Sequence, residues 1–178
     1  MDRDHTSASA SLTDWVVLGV IVEGDRHGFA VARELATDGP LGQVWTVRRP
    51  LVYRAIDHLL ALEWIEPTRI EHGSQGPQRA VMRATRRGRA RLAKWLDLAV
   101  EHPRDVRSDL LVKFTLLARR GQPRAPLARR QLDAFATRFD AMATRDLDPE
   151  SPEWPMNLWR AESSRAIERT LQAIAAAQ

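Results

Sequence analysis

The stretch from Arg48 to Lys94 constrains the fold of this chain more than any other part of its sequence. It begins as a short helix rich in arginine, continues as a predicted β-hairpin around the tip GSQG, and ends as a second basic helix. It contains eleven Lys and Arg against four Asp and Glu, a net charge of +7, whereas the whole chain has +4. Such a concentration of positive charge on one helix and one hairpin is typical of a surface that meets a polyanion.

The composition bounds the class of protein and its compartment. A chain of 178 residues can form one large or two small domains. It has no cysteine, which excludes disulfides and thiolate metal sites and is compatible with a reducing cytoplasm. The longest apolar run, Trp15–Val22, is too short to span a bilayer, and residues 1–11 resemble neither a signal peptide nor a transit peptide. We therefore expect a cytoplasmic protein with a disordered N-terminal tail at 1–11.

Three helices are predicted before the hairpin. Leu12–Val22 is assigned as the first helix, although its β-branched run VVLGVIV would also suit a strand. The segment GDRHG is a predicted turn, and Gly28–Ala36 is the second helix. Pro50 suits the first turn of the third helix, because its missing N–H would have no partner there.

The third helix has two distinct faces. Apolar residues at helical spacing form an inward stripe, which consists of Val52, Ile56, Leu59 and Leu60. The other face is mostly short or polar and comprises Leu51, Arg54, Ala55 and His58. This second face suits a DNA groove better than a protein core.

The hairpin and the helix after it complete the first predicted domain. Ile65–Glu71 and Arg79–Ala84 should pair across residues 72–78, which contain two glycines and a proline. Thr85 is a favourable N-cap for the fourth helix. Pro103 interrupts the chain before the next helix, so we expect one domain at 12–102 and a second at 103–178.

The C-terminal part is predicted to be helical, over Val106–Ala118, Leu127–Thr144 and Met156–Ala176. In the middle helix the apolar residues step by four and three positions over about two heptads, as in a coiled coil. We expect these helices to form a homodimer through Leu110, Phe114, Leu117, Leu132, Phe135, Phe139, Ile167 and Leu171.

The predicted fold class is mainly α. It consists of a winged helix-turn-helix DNA-binding domain with a two-stranded β-wing, followed by an α-helical dimerisation domain. In this fold the recognition helix lies in the major groove of DNA, and we expect the wing to reach the minor groove or the phosphate backbone.

Five segments of the chain resemble the PadR-like transcriptional regulators. Four of them cover roughly residues 12–120 and read LGVIVEGDRHGFAVARELA, VYRAIDHLLALEWIEP, GPQRAVMRATRRGRARLAKWL and EHPRDVRSDLLVKFTLL. The fifth, NLWRAESSRAIERTLQAI, is similar to the family's closing helix but carries less motif. Three positions depart from the pattern: Phe29 replaces the usual Tyr, Met82 replaces an aromatic residue, and Trp64 replaces a glycine.

The resemblance implies a homodimer that binds a palindromic operator in double-stranded DNA, acts as a repressor, and has Tyr53 on its DNA-facing side. It also implies a small aromatic effector, since some relatives bind phenolic acids or planar drugs. Trp95 and Trp159 are candidate residues for such a pocket, with a core or interface role as the alternative for both. No cofactor and no metal are expected.

The candidate DNA-contacting residues lie on the third helix and the wing. They are Arg48, Arg49, Leu51, Tyr53, Arg54, His58, Ser74, Gln75, Gln78 and Arg79. The arginines of the helix suit either phosphate or guanine. For the three arginines that follow the wing, a solvated helix face is as good an interpretation as DNA contact: Arg86, Arg87 and Arg89.

Other classes of function have weaker support in the sequence. The five histidines form no pair at metal-ligand spacing, and GSQG lacks the central serine of a G-x-S-x-G nucleophile elbow. We therefore do not expect an enzyme. A protein–protein adaptor or a ligand-sensing module without operator binding stays open, although an adaptor has no need of the +7 charge.

Overall fold

The computed structural model describes residues 10–71, 79–143 and 148–177, and it divides into two compact units, Met1–Trp95 and Leu96–Gln178. This division falls seven residues before the boundary predicted between 102 and 103, where a 3-10 turn, Pro103–Val106, begins. The fold is mainly helical with a small antiparallel sheet, which confirms the predicted fold class. In chain order the elements are α1 (Leu12–Glu23), β1 (Arg26–His27), α2 (Gly28–Glu34), α3 (Arg49–Ala61), β2 (Ile65–Glu71), β3 (Arg79–Ala84), α4 (Arg86–Asp97), α5 (Asp109–Arg119), α6 (Ala125–Ala143) and α7 (Trp154–Ala176).

Helix α1 is the central element of the first unit. Ser11 and Asp14 form a capping box, in which the Ser11 hydroxyl accepts from the Asp14 N–H and the Asp14 carboxylate accepts from the Ser11 N–H at 2.7 Å. Every residue from Val16 to Val22 is buried. An element that is buried on all sides shows no polar face in its sequence, so VVLGVIV left the choice between helix and strand open, and the helix is correct.

The sheet has three strands in the order β1-β3-β2, all antiparallel. Both arms of the predicted hairpin match the observed strands, with Ile65 opposite Ala84. The third strand was not predicted: Arg26 and His27, placed in a turn by sequence reasoning, pair with Met82 and Val81. A strand of two residues is too short to have a periodicity, and only its distant partner makes it a strand.

The turn between α3 and β2 is fastened to the start of α4 by Thr85. The Thr85 hydroxyl accepts from the Gly88 N–H at 3.0 Å, which confirms it as the N-cap, and donates to the Glu63 carbonyl at 2.8 Å. A Cβ on Gly88 would lie 2.0 Å from the Trp64 carbonyl oxygen, so α4 packs closely against this turn. Glu63 takes the left-handed conformation, with φ of 57°, that often ends a helix.

Three tryptophans pack together in the first unit. Trp15 of α1 stacks on Trp95 of α4 with ring centroids 5.1 Å apart, and its centroid lies 5.0 Å from that of Trp64. Trp64, which stands where PadR-like proteins usually have a glycine, is therefore a core residue of this chain.

The second unit is built on α6 and α7, which run antiparallel: Arg129 near the start of α6 donates to the carbonyl of Ala175 near the end of α7. Its buried apolar side chains come from all three helices and include Leu110, Leu116, Leu127, Phe135, Ala161 and Leu171. Lys113 is also buried and donates to the Leu98 carbonyl. No helix within the described ranges is long and apolar enough to cross a membrane.

Candidate nucleic-acid interface

Helix α3 buries one side in the first unit and presents the other to solvent. Val52, Ile56 and Leu59 are buried as predicted. Ala55, which the sequence placed on the outer face, is only 3% exposed. At 100° per residue Ala55 falls beside Val52 and Leu59, so the buried arc is wider than the apolar stripe suggested. The outer side consists of Arg48, Arg49, Pro50, Leu51, Tyr53, Arg54, Asp57 and Ala61.

The N-terminal half of α3 carries three exposed arginines. Arg48, Arg49 and Arg54 form no ion pair with a carboxylate of the described residues. The first turn of the helix contains no acidic residue, and Arg48 provides no side-chain cap. Positive charge at a helix N-terminus opposes the helix dipole, so Arg48 and Arg49 do not stabilise α3 through the dipole. An incoming anion would relieve this repulsion.

Arg49 lies close to two aromatic rings. Its Cζ is 5.2 Å from the centroid of the Phe29 ring on α2 and 5.7 Å from that of the Tyr53 ring. Both distances are within the range of cation–π attraction. Tyr53 is 39% exposed, and so the ring and hydroxyl are available at the surface beside the guanidinium.

His58 and Leu51 lie on the opposite flank of the outer face. The His58 Nδ1 is 3.1 Å from the Asp14 carboxylate, so this histidine joins α3 to the capping box of α1. Leu51 is 42% exposed and has no polar group to anchor it. Their contact with DNA stays a prediction.

The structure describes the two strands of the wing but not the loop between them, residues 72–78. Ser74, Gln75 and Gln78 lie outside the described residues, and of Arg79 only the backbone, in β3, is described. On β3, Arg83 makes a two-pronged contact with the Asp25 carboxylate, with Nη2 to Oδ2 at 2.8 Å and Nε to Oδ2 at 3.0 Å. The hydrogen bond from Arg83 lowers the pKa of Asp25 below its ordinary value. Arg83 therefore fastens the sheet to the turn after α1.

The arginines of α4 are partly engaged within the unit. Arg87 pairs with Glu63 at 3.1 Å, and Arg89 donates to the Val22 carbonyl at 3.1 Å. These contacts favour a structural role for the two residues over DNA contact. Within the described residues, Arg86, Arg91 and Lys94 of α4 are exposed and, like the three arginines of α3, form no ion pair, so available positive charge lies on both helices.

A comparison with protein families identifies the first unit. Residues 17–94 match the model of the transcriptional regulator PadR-like family. This part of the chain is PadR-like. The match covers α3 and both wing strands, and it confirms the recognition made from the motifs. That family consists of transcriptional regulators, which is the role predicted from the motifs.

Three solved structures align with most of the chain at low sequence identity and with TM-scores below 0.5. Bacillus subtilis PadR in complex with operator DNA is 17% identical, with a TM-score of 0.49, over 93% of this chain and 98% of that one. Bacillus subtilis PadR in complex with p-coumaric acid is 16% identical, with a TM-score of 0.44, over 93% and 98%. The protein smu.1604c from Streptococcus mutans UA159 is 13% identical, with a TM-score of 0.43, over 92% and 98%. No curated protein matches the chain.

The structure adds two residues to the candidate interface of the PadR-like segment. Asp57 is exposed on α3, three residues after Arg54 and four after Tyr53, and a carboxylate there can accept from a cytosine amino group while it repels phosphate. Phe29 enters through its contact with Arg49. Helical spacing from Arg54 could have found Asp57, whereas no local signal connects Phe29 with α3.

The residues assigned to dimerisation and to an effector are placed as follows. Within the second unit five are buried in the chain's own core, and their burial needs no partner: Leu110, Phe114, Leu117, Phe135 and Leu171. Three are half-buried: Leu132, Phe139 and Ile167. Trp95 stacks on Trp15 in the first unit, and Trp159, in the second, is 73% exposed. The described residues hold no cluster of His, Asp and Glu that could bind a metal.

Proposed function

We propose that this chain is a cytoplasmic transcriptional repressor that binds a palindromic DNA operator as a homodimer. DNA binding is assigned to the first unit and dimerisation to the second. The observation that carries the proposal is the cluster of Arg48, Arg49 and Arg54, exposed on α3 of the PadR-like segment and unpaired with any described carboxylate. Repression is assigned from the resemblance to the PadR-like regulators alone.

In the proposed complex α3 enters the major groove, where its outer side meets base edges and the flanking backbone. The arginines neutralise phosphates and release counterions, so affinity should fall steeply as salt rises. The Tyr53 hydroxyl is placed to donate to a phosphate. Two-fold symmetry would separate the two recognition helices by about 34 Å, one turn of DNA.

The homodimer is supported by exposed apolar side chains in the second unit. On α7, Met156 and Trp159 are 45% and 73% exposed and lie three residues apart, on adjacent turns of one face. A tryptophan so exposed is more typical of an interface than of a free surface, because aromatic residues are enriched where proteins associate. We therefore place the dimer contact on this face of α7.

Effector response is the last part of the proposal. Trp159 offers a ring face on which a planar aromatic molecule can stack, at the same face of α7. p-Coumaric acid, which a Bacillus subtilis PadR structure contains, is a suitable probe. Quenching of tryptophan fluorescence and release of DNA on titration would support the effector, and the absence of both would remove this acid from the proposal.

The test of DNA binding is a fluorescence-anisotropy titration of the full chain on duplex DNA from just upstream of its own coding sequence, against a scrambled duplex, at two salt concentrations. We expect tighter, saturable binding to the upstream duplex. Arg54→Ala should weaken it and reduce the salt slope by about one, and Tyr53→Phe should weaken it without a change in charge. Arg104→Ala, which removes an exposed arginine of the second unit, is the control. Failure of the wild-type chain to bind either duplex would favour the adaptor.

A further inference from the structure

We propose that Arg49 is the side chain of α3 that reads a guanine edge, and that Phe29 and Tyr53 are the positioning residues that hold its guanidinium for this contact. The assignment rests on the proposed DNA binding and deepens it. It separates one arginine that recognises a base from two neighbours, Arg48 and Arg54, that contact phosphate.

The first ground is the difference in environment among the three arginines. Arg49 lies over two ring faces, at 5.2 Å from Phe29 and 5.7 Å from Tyr53. Within the part of the chain that the structure describes, Arg48 and Arg54 have neither an aromatic ring nor a carboxylate as partner. The three side chains carry the same charge on the same helix, so the two rings are what distinguishes Arg49.

The second ground is that the rings themselves are held in place. A Cβ on Gly28 would lie 2.8 Å from the Tyr53 Cε1 and 3.1 Å from the Ile56 Cδ1, so the absence of a side chain lets the Tyr53 ring lie against the start of α2. At the same point the His27 Nδ1 accepts from the Ala30 N–H at 3.0 Å and caps α2. Phe29 is thereby fixed at the first turn of a capped helix.

The third ground is chemical. Cation–π contacts with two rings restrict the guanidinium, and because it carries five N–H donors, some remain free to donate to a base. Two donors in one plane match the O6 and N7 acceptors of guanine, a contact that depends on orientation. A phosphate contact depends less on orientation, because Lys makes it well as a simple point charge. Restriction of a long side chain by two rings therefore serves base reading more than phosphate binding.

The fourth ground is position along the helix. Arg49 is the first residue of α3, and the N-terminal residues of a recognition helix are those that contact base edges. Its side chain extends from the end of α3 that would reach deepest into the groove. Arg54 lies more than one turn further along.

The experiment starts from a duplex selected for tight binding to the wild-type chain from a randomised pool. Each guanine of this operator is then replaced in turn by 7-deazaguanine, which lacks the N7 acceptor. For the wild-type chain we expect one guanine in each half-site at which the replacement weakens binding by roughly 5-fold or more, since a bidentate pair is worth a factor of about 5 to 150. Arg49→Ala should bind the normal and modified duplexes equally.

Matched variants separate base reading from charge and from folding. Arg48→Ala should bind both duplexes more weakly but keep the wild-type ratio between them. Phe29→Leu keeps an apolar side chain and removes the ring, so it should reduce the ratio while the salt slope stays unchanged. Phe29→Tyr restores a ring and should restore the ratio. A residue that only supports the fold would weaken binding to both duplexes alike.

The outcomes distinguish this assignment from the proposed function. If the selection yields no operator, DNA binding fails and the role of Arg49 fails with it. If an operator is found but Arg49→Ala keeps the wild-type ratio at every guanine, the assignment of Arg49 is overturned and DNA binding stands. An operator with no guanine that is sensitive to the replacement would overturn it as well.

Discussion

Gln131 on α6 satisfies both backbone polar groups of Val100. The Gln131 Oε1 accepts from the Val100 N–H at 2.7 Å, and the Gln131 Nε2 donates to the Val100 carbonyl at 3.0 Å. Gln131 is completely buried. The side-chain amide thus makes the two hydrogen bonds that a neighbouring strand would otherwise make. It holds the segment that follows α4 against the core of the second unit.

Gln131→Leu should destabilise the protein strongly. The leucine would leave the N–H and the carbonyl of Val100 buried without partners, at a cost of about 1 to 3 kcal/mol for each. Urea unfolding followed by circular dichroism measures the loss. Gln172→Leu, at an exposed position of α7, is the control and should change stability by less than about 0.5 kcal/mol. Equal urea midpoints for Gln131→Leu and the wild-type chain would show that these two hydrogen bonds do not stabilise the fold.

Gly28→Ala should impair DNA binding more than stability. The new Cβ would force the Tyr53 ring away, and because this ring is 39% exposed it can move at small cost. The displaced ring would no longer support Arg49. We expect an unfolding midpoint close to that of the wild-type chain and a lower preference for operator over scrambled DNA. Gly24→Ala is the matched control, since a Cβ on Gly24 meets nothing within 4 Å.

Stability should rise with pH because of Lys113. Burial lowers the pKa of its ammonium group to about 8 from an ordinary value of 10.5, an effect that Asp109 opposes. Between these two values the unfolded chain keeps a proton that the folded chain has released, so the free energy of unfolding increases as pH rises from about 8 to 10.5. Below pH 8 the cost of the buried charge is fully present.

Lys113→Met should remove this rise. The wild-type chain should gain about 1 to 3 kcal/mol between pH 7 and 10 relative to the variant, as measured by urea unfolding at the two pH values. Lys94→Met, at the other lysine of the chain, which is exposed, should leave the rise intact. Parallel pH profiles for Lys113→Met and the wild-type chain would show that Lys113 does not titrate in this range.

Trp159→Asp should convert the proposed dimer to a monomer. A carboxylate in place of the exposed ring would be desolvated at an interface without a partner, and sedimentation velocity measures the change in mass. Arg160→Asp, at the next exposed position, should remain a dimer. Phe135→Asp is not a suitable probe, because Phe135 is 1% exposed within its own unit and the variant should unfold. If the Trp159→Asp variant still sediments as a dimer, the interface lies elsewhere.

Elements with strong local signals were predictable from the sequence. The strands β2 and β3 begin and end at the predicted residues, and Thr85 caps α4 as expected. Helix α1 was ambiguous because a fully buried element lacks a polar face. Strand β1 was missed because its two residues become a strand only by pairing with β3.

The candidate interface was also predictable only where local signals indicated it. Charge and helical spacing indicated Arg48, Arg49 and Arg54 as exposed residues of α3, and the structure places them there. They did not distinguish Arg49 from the other two. That distinction comes from Phe29, which is twenty positions away in the chain and belongs to a different helix.

By itself the sequence determined the order of the elements other than β1, the concentration of positive charge on α3 and its surroundings, and the family that the first unit resembles. These depend on local periodicity, capping and composition, which act between residues a few positions apart. Only the tertiary structure decided which arginines are engaged, as Arg83 is with Asp25, and which lie free or over aromatic rings. It also decided that Phe135 belongs to a core within one chain while Trp159 is exposed. Contacts between side chains that are distant in sequence depend on how the helices pack. An apolar stripe on a helix has the same sequence pattern whether it packs within its own chain or against a second copy.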